Sequence, residues 1–446
     1  MFSPPYKRYV LTTLTLVYTL NYLDQDLIGL LLQAIKEDLH LSDSQLGFLT
    51  GIAFALFYAT LGLPIARWAD RGNRVTITSI AITLWGITVM SCLFVTNFVQ
   101  LVLARVAAAV GESGCMPPTY SLVGDYFPRP AERARAMSIY MLATPLAALI
   151  SFILGGWLNE LYGWRIAFFV MGTPALLVGA MVKITIREPR VRATQVEALD
   201  QELPRLIEVV ATLWRQRSTR HLILALILVS TLGQGMGAWY AAFMMRSHGM
   251  GTAELGVWLG LIFGISGILG IVLGGYLAAN WFADNEQGQM RLSAVTIASL
   301  VPCFVLFLML PQKRQALIAL TPLVMVFNVF FGPTFALMQR LVVDAMRATT
   351  LAVMLLLGNL IGMGVGPQIV GMLSDFLKPQ LGSDSLRYAM LIMSLLALWS
   401  AYHFWKVGAT VKEDLLAVER RGRFKADLPE FDGKFGASNA LTDVRV

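Results

Sequence analysis

The stretch YVLTTLTLVYTLNYLDQDLIGLLLQA, residues 9–34, is long and apolar enough to cross a bilayer, yet it holds two aspartates, Asp24 and Asp26. A membrane-spanning helix needs about 20 mostly apolar residues to cover about 30 Å of hydrocarbon. A carboxylate near the middle of that path costs a few kcal/mol at least, so such residues usually face a partner or a watery cavity. The stretch therefore predicts a membrane fold and a functional site within it.

The rest of the chain extends the first half of that reading. Its 446 residues are 56% hydrophobic and only 14% charged, against about a quarter charged in a soluble domain. Roughly twelve apolar stretches follow one another, near 9–34, 44–66, 75–96, 98–123, 135–159, 166–186, 221–245, 252–282, 293–311, 315–339, 348–374 and 386–409. The predicted fold is an all-α membrane protein of twelve transmembrane helices. The first stretch is too long for a cleavable leader and lacks a small-residue cleavage site. With the N-terminus in the cytoplasm, about 27 of the 35 Lys and Arg fall on that side, as the positive-inside rule requires. Both termini are then cytoplasmic. The net charge of +7 orients the chain and meets anionic lipid, so nucleic acid is not an expected partner.

An internal repeat organises the spans. PPTYSL (117–122) in the fourth and GPTFAL (332–337) in the tenth are 215 positions apart. The same offset pairs Leu142 with Leu357, Gly156 with Gly371, Leu158 with Leu373, and Glu160 with Asp375. Six helices followed by six in the same orientation describe a parallel duplication. The expected units are a six-helix bundle over 1–186, a cytoplasmic linker over 187–220, a second bundle over 221–409 and a cytoplasmic tail over 410–446. In the linker, Leu206, Val210, Leu213 and Trp214 share one helical face, which predicts an amphipathic helix on the membrane surface. The three cysteines (Cys92, Cys115, Cys303) and four histidines (His40, His221, His248, His403) show no disulfide framework and no metal-ligand cluster.

The loops carry a family resemblance. ADRGNR (69–74), with Asp70, Arg71 and Arg74, resembles the cytoplasmic loop motif of the major facilitator superfamily, although Ala66 stands where that motif has Gly. GGWLNELYGWRIAFF (155–169) looks like its junction of spans five and six. Within the superfamily, four segments resemble spinster transporters, in particular a bacterial homologue. They are NYLDQ (21–25), RVAAAVGESG (105–114), GDYFPRPAERARAMSIY (124–140) and the run MRATTLAVMLLLGNLIGMGVGPQIVGMLSD (346–375). The family often has Arg after the first-span Asp, where this chain has Gln25 and then Asp26. The resemblance implies the twelve-helix fold, alternating access, and proton-linked movement of lysophospholipids or sphingosine phosphates across a bacterial inner membrane by a monomer.

The deep charges are few: Asp24 and Asp26 in span one, Arg105 and Glu112 in span four. Arg105 and Glu112 are two helical turns apart and so share a face. Asp24 lies at a depth between them, and the superfamily's architecture implies that spans one and four adjoin at a central cavity. A buried carboxylate favours its neutral form unless a cation sits beside it. Asp24 beside Arg105 is therefore the expected proton-coupling group, with Glu112 as a second proton site. A static ion pair that only fixes helix packing is the alternative. Asp26, about 200° around the helix from Asp24, is expected to snorkel or face a neighbouring helix.

Arg105 suits a phosphate or carboxylate head group because its planar fork matches such anions. Asn21, Tyr22, Trp239 and Asn359 are expected beside it as substrate-binding residues. Protons are the only coupling partner expected, with no other cofactor and no metal. Gly256, Gly260, Gly264, Gly267, Gly270 and Gly274 form a small-residue stripe in span eight that allows close helix approach. Asp70, Arg71 and Arg74 with Arg133 and Arg135 are expected to form a cytoplasmic gate. A multidrug or organic-anion antiporter fits the same residues, and a non-transporting receptor is the alternative of another class. No GxxxxGK[ST] phosphate loop or nucleophile–base pair points to an ATP-driven pump or an enzyme.

Overall fold

A computed structural model describes residues 2–189, 206–282, 285–342, 346, 350, 353–354 and 356–426, with backbone only at 63, 66, 70, 130, 206–210, 339 and 418–426. The chain folds as α1 (Pro4–Leu39), α2 (Asp43–Thr50), α3 (Ile52–Arg71), α4 (Arg74–Ser91), α5 (Phe98–Ser113), α6 (Met116–Tyr126), α7 (Pro130–Met141), α8 (Ala143–Tyr162) and α9 (Trp164–Thr185). There follow α10 (Leu206–Arg215), α11 (Arg217–Gly237), α12 (Tyr240–His248), α13 (Thr252–Leu261), α14 (Gly267–Trp281), α15 (Glu286–Ala298) and α16 (Leu300–Met309). The last are α17 (Lys313–Asn328), α18 (Phe331–Arg340), α19 (Gly364–Leu381), α20 (Ser385–Ser394) and α21 (Leu396–Ala426). No strand occurs among the described residues. Among the described residues, ten helical segments are long and apolar enough to cross a membrane. α1 is not among the ten, because Asn21, Asp24, Gln25 and Asp26 interrupt its apolar run, and the 60 residues Gly358–Ala417 form a single segment.

The spans are broken rods, and the breaks follow the repeat. Pro117 and Pro118 open α6 just after the turn at Gly114–Cys115. Pro333, at the repeat offset from Pro118, sits in the first turn of α18 after the break at Val329–Phe330. Proline lacks the N–H needed in a helix interior, so a helix restarts around it at low cost only in its first turn. Two single turns of π-helix, Ile262–Ser266 and Gly358–Met363, interrupt the eighth and eleventh apolar stretches.

The glycine stripe of the eighth stretch packs closely, and against two different neighbours. A Cβ on Gly256 would lie 2.0 Å from the Phe152 carbonyl oxygen of α8, whereas one on Gly274 would lie 2.1 Å from that of Val329, past the end of α17. The π-turn between them lets one helix present glycine first to α8 and then to α17. Apolar side chains fill the interior and also cover the outside, where Leu103, Leu177, Ile184 and Trp281 are exposed. An outer surface of this kind is suited to lipid rather than water.

The expected linker helix forms as α10, with Leu213 buried and Trp214 exposed, while the side chains of Leu206 and Val210 lie outside the described ones. One expectation changes. The tail expected from 410 is helical through Ala426, since α21 continues. Val411 is fully buried there, and Asp414 accepts a hydrogen bond from the Ser218 N–H at 2.7 Å at the start of α11. Residues 427–446 lie outside the described residues.

Candidate functional site

α1 and α5 bring the deep charges together. The Arg105 guanidinium donates to the Asp24 carboxylate in a buried ion pair, with Arg105 3% and Asp24 2% exposed. The next residue, Gln25, donates from its side-chain amide to Glu112, one α-helical heptad beyond Arg105. Residues 24 and 25 of one helix thus engage positions 105 and 112 of the other. The Ser151 hydroxyl of α8 donates to the Leu23 carbonyl at 2.7 Å and holds α1 in this register. Arg105 also lies over the Phe54 ring at 4.9 Å, an arrangement that favours a cation. Two polar atoms of this group, Arg105 Nε and Glu112 Oε2, have no hydrogen-bond partner among the described residues.

Beside the pair lies a cavity of about 580 Å³. Tyr22, Gln25, Asp26 and Arg105 face it from the first half of the chain, and Gln234, Asn328 and Asn359 from the second. The remaining wall is mostly apolar, with Tyr240, Phe263, Phe327 and Phe331 set among aliphatic side chains and glycines. Both π-turns contribute to it, through Phe263 and Gly264 in one and Gly358, Asn359 and Met363 in the other.

The expected residues divide accordingly. Arg105, Tyr22 and Asn359 line the cavity. Asn21 does not, being 2% exposed on another face of α1. Trp239 does not either: the break between α11 and α12 turns its indole inward, fully buried, to donate to the Pro367 carbonyl at 3.1 Å. Asp24 and Glu112 sit behind the lining, within reach of it through Arg105 and Gln25. Asp26 neither snorkels nor faces a neighbouring helix; it lines the cavity.

At the end of the molecule holding the start of α1, Arg74 is 1% exposed and sits between two carboxylates, Asp125 at 2.7 Å and Glu188. Its Nη1 also donates to the Ser121 hydroxyl at 2.7 Å. Asp125 and Ser121 lie in the first bundle, and Glu188 lies at the start of the expected linker. Arg133 donates to the Gly124 and Phe127 carbonyls, both at 3.3 Å, at the end of α6, and Arg71 and Arg135 are exposed. The Asp70 side chain lies outside the described residues.

At the opposite end a second network joins the two halves, and the sequence reading missed it. Both Asp43 oxygens accept from Arg246 at 2.8 Å, a bidentate pair. Asp43 also accepts from Lys36 and, at 2.6 Å, from the Ser374 hydroxyl. Asp375 in turn accepts the Asp43 and Ser44 backbone N–H groups at 3.1 and 2.7 Å, where a carboxylate meets the positive end of α2. Glu160, its partner in the repeat, does the same at α13, accepting the Ala253 N–H at 2.7 Å. Gly156 and Gly371 complete the correspondence: a Cβ there would lie 2.4 Å from the Thr252 carbonyl oxygen and 2.3 Å from that of Asp43. The repeat was the signal that could have located this network, because it paired an acid with an acid. Elsewhere, His221 and His403 meet through their Nδ1 atoms at 2.8 Å, a pair that their 182-residue separation concealed.

A helical membrane fold around a cavity flanked by a buried ion pair is an arrangement that suits the secondary-transporter class. The model of the Major Facilitator Superfamily matches residues 14–367. An MFS-type efflux pump of Mycolicibacterium smegmatis is 32% identical over 91% of this chain and 94% of its own length. The sphingosine-1-phosphate transporter SPNS2 of Danio rerio is 25% identical over 84% of this chain and 78% of its own. Among solved structures, a bacterial homologue of the human lysosomal transporter spinster, inward-facing and unoccupied, superposes with a TM-score of 0.81 at 28% identity, covering 93% of this chain and 99% of that one. The chain belongs to the major facilitator superfamily, in its spinster family. Its relatives are transporters and not enzymes.

Proposed function

We propose that this chain is a proton-coupled carrier of lysophospholipid-like or sphingosine-phosphate-like amphipathic molecules, working by alternating access in a bacterial inner membrane. The observation that carries the reading is the buried Asp24–Arg105 pair beside a cavity with a mostly apolar wall that includes several aromatic rings. Arg105 turns toward the anionic head group of the cargo, and the apolar chain lies against Phe263, Phe327 and Phe331. Asp24, left without its counterion in a desolvated setting, takes a proton, which it returns when Arg105 swings back. Glu112, held by Gln25, is the second proton site. The reading includes twelve spans as two six-helix bundles with both termini cytoplasmic, and a chain that acts as a monomer. The Asp43 end is then external.

A second reading, efflux of structurally unrelated hydrophobic compounds, is favoured by the 32% identity to an efflux pump. Flux of lysophospholipid into proteoliposomes, with and without an imposed pH gradient, tests both. Gradient-dependent flux in the wild type that Asp24→Asn abolishes, in protein shown to be folded, supports proton coupling through Asp24. Flux indifferent to gradient and substitution makes Asp24 structural. No lysophospholipid flux, with competition among unrelated drugs, supports efflux.

A further inference from the structure

Asp26 is a half-buried carboxylate on the cavity wall with no hydrogen bond or ion pair to any described residue. The other three deep charges are engaged: Asp24 with Arg105, and Glu112 with Gln25. Uncompensated, a carboxylate at this depth is expensive, and the charged residues of membrane proteins are normally paired. The surrounding surface is also suited to a cation. Tyr22, Tyr240, Phe263, Phe327 and Phe331 share the cavity with Asp26, and the electron-rich faces of such rings attract ammonium groups.

We propose that Asp26 binds a protonated amine on the transported molecule, so that the cavity selects amphiphiles carrying an amine, with Arg105 free to meet a phosphate on the same head group. This rests on the reading of the cavity as the transport site and narrows its cargo. The amine can belong to a zwitterionic lysolipid or to a lipophilic amine without phosphate, and both present the same chemistry to Asp26.

Equilibrium binding to the purified full-length protein in non-ionic detergent, read by tryptophan fluorescence without any gradient, tests it. The probes are lysophosphatidylethanolamine, its N-acetylated form and dodecylamine. The wild type should bind at least one amine-bearing probe, and should bind lysophosphatidylethanolamine about tenfold or more tighter than the N-acetylated form, a ratio worth about 1.4 kcal/mol. Asp26→Asn should erase that preference, and Asp26→Glu should retain it. Equal wild-type affinity for the amine and its acetylated form, or an equal loss of both in Asp26→Asn, overturns the proposal. So does failure of the wild type to bind any amine-bearing probe. Asp26-dependent binding of dodecylamine with no lysolipid binding upholds amine recognition and removes the lysolipid reading of the function.

Discussion

At the scale of single residues, positions 24 to 26 do three different jobs. Asp24 compensates Arg105, Gln25 holds Glu112, and Asp26 faces the cavity. Asp24→Asn leaves a guanidinium buried without its counterion, and breaking one side of a buried pair costs about 3–5 kcal/mol. A lowered thermal midpoint in detergent is expected, with part of the loss recovered in the double variant Asp24→Asn/Arg105→Gln. Additive losses in the double variant would show that the two side chains are energetically independent. Sequence reasoning found Asp24, Arg105 and Glu112 because charges in apolar stretches are conspicuous. It misjudged Asp26 because the faces of one helical turn differ in environment only once neighbouring helices are in place.

At the scale of elements, α13 and α14 show how glycine and a π-turn together decide which helix is touched. Gly274 has no room for a side chain, whereas a Cβ on its neighbour Gly275 would meet nothing within 4 Å. Gly274→Val should overpack the contact with the end of α17 at a cost of about 1–3 kcal/mol. Gly275→Ala should stabilise α14 by roughly 0.5–1 kcal/mol, through helix propensity alone. Thermal unfolding followed by circular dichroism separates the two. Equal effects would mean that the stripe is not a packing surface. The stripe was legible as a spacing of three and four residues. The change of partner at Ile262–Ser266 was not, because a π-turn has no compositional signature distinct from the helix around it.

At the scale of the whole molecule, the ion pairs of the two ends differ in kind. The Asp43–Arg246–Ser374 network crosses between the halves, whereas Arg74 pairs with Asp125 and Glu188, both ahead of the second bundle. Asp43→Asn or Arg246→Gln should lengthen the distance between spin labels at the exposed positions Glu37 and Lys378, as the Asp43 end opens more often. Arg74→Gln should reduce stability, because it leaves Asp125 and Glu188 without that guanidinium. An unchanged distance in Asp43→Asn would remove this network as a latch. A shift of the same distance in Arg74→Gln would support the gating role expected of Arg74.

The amino-acid sequence determined the membrane fold, the repeat and the charges worth watching, because hydropathy, a fixed offset and a buried carboxylate are properties of the chain read in one dimension. Only the tertiary structure decided that Trp239 packs behind the cavity wall, that Asp26 lines it, and that Asp43 joins Arg246 across 203 residues. Those outcomes depend on which face of each helix meets which neighbour. Small differences in packing among similar apolar helices set that choice, and the pattern of hydrophobic and polar residues does not encode it.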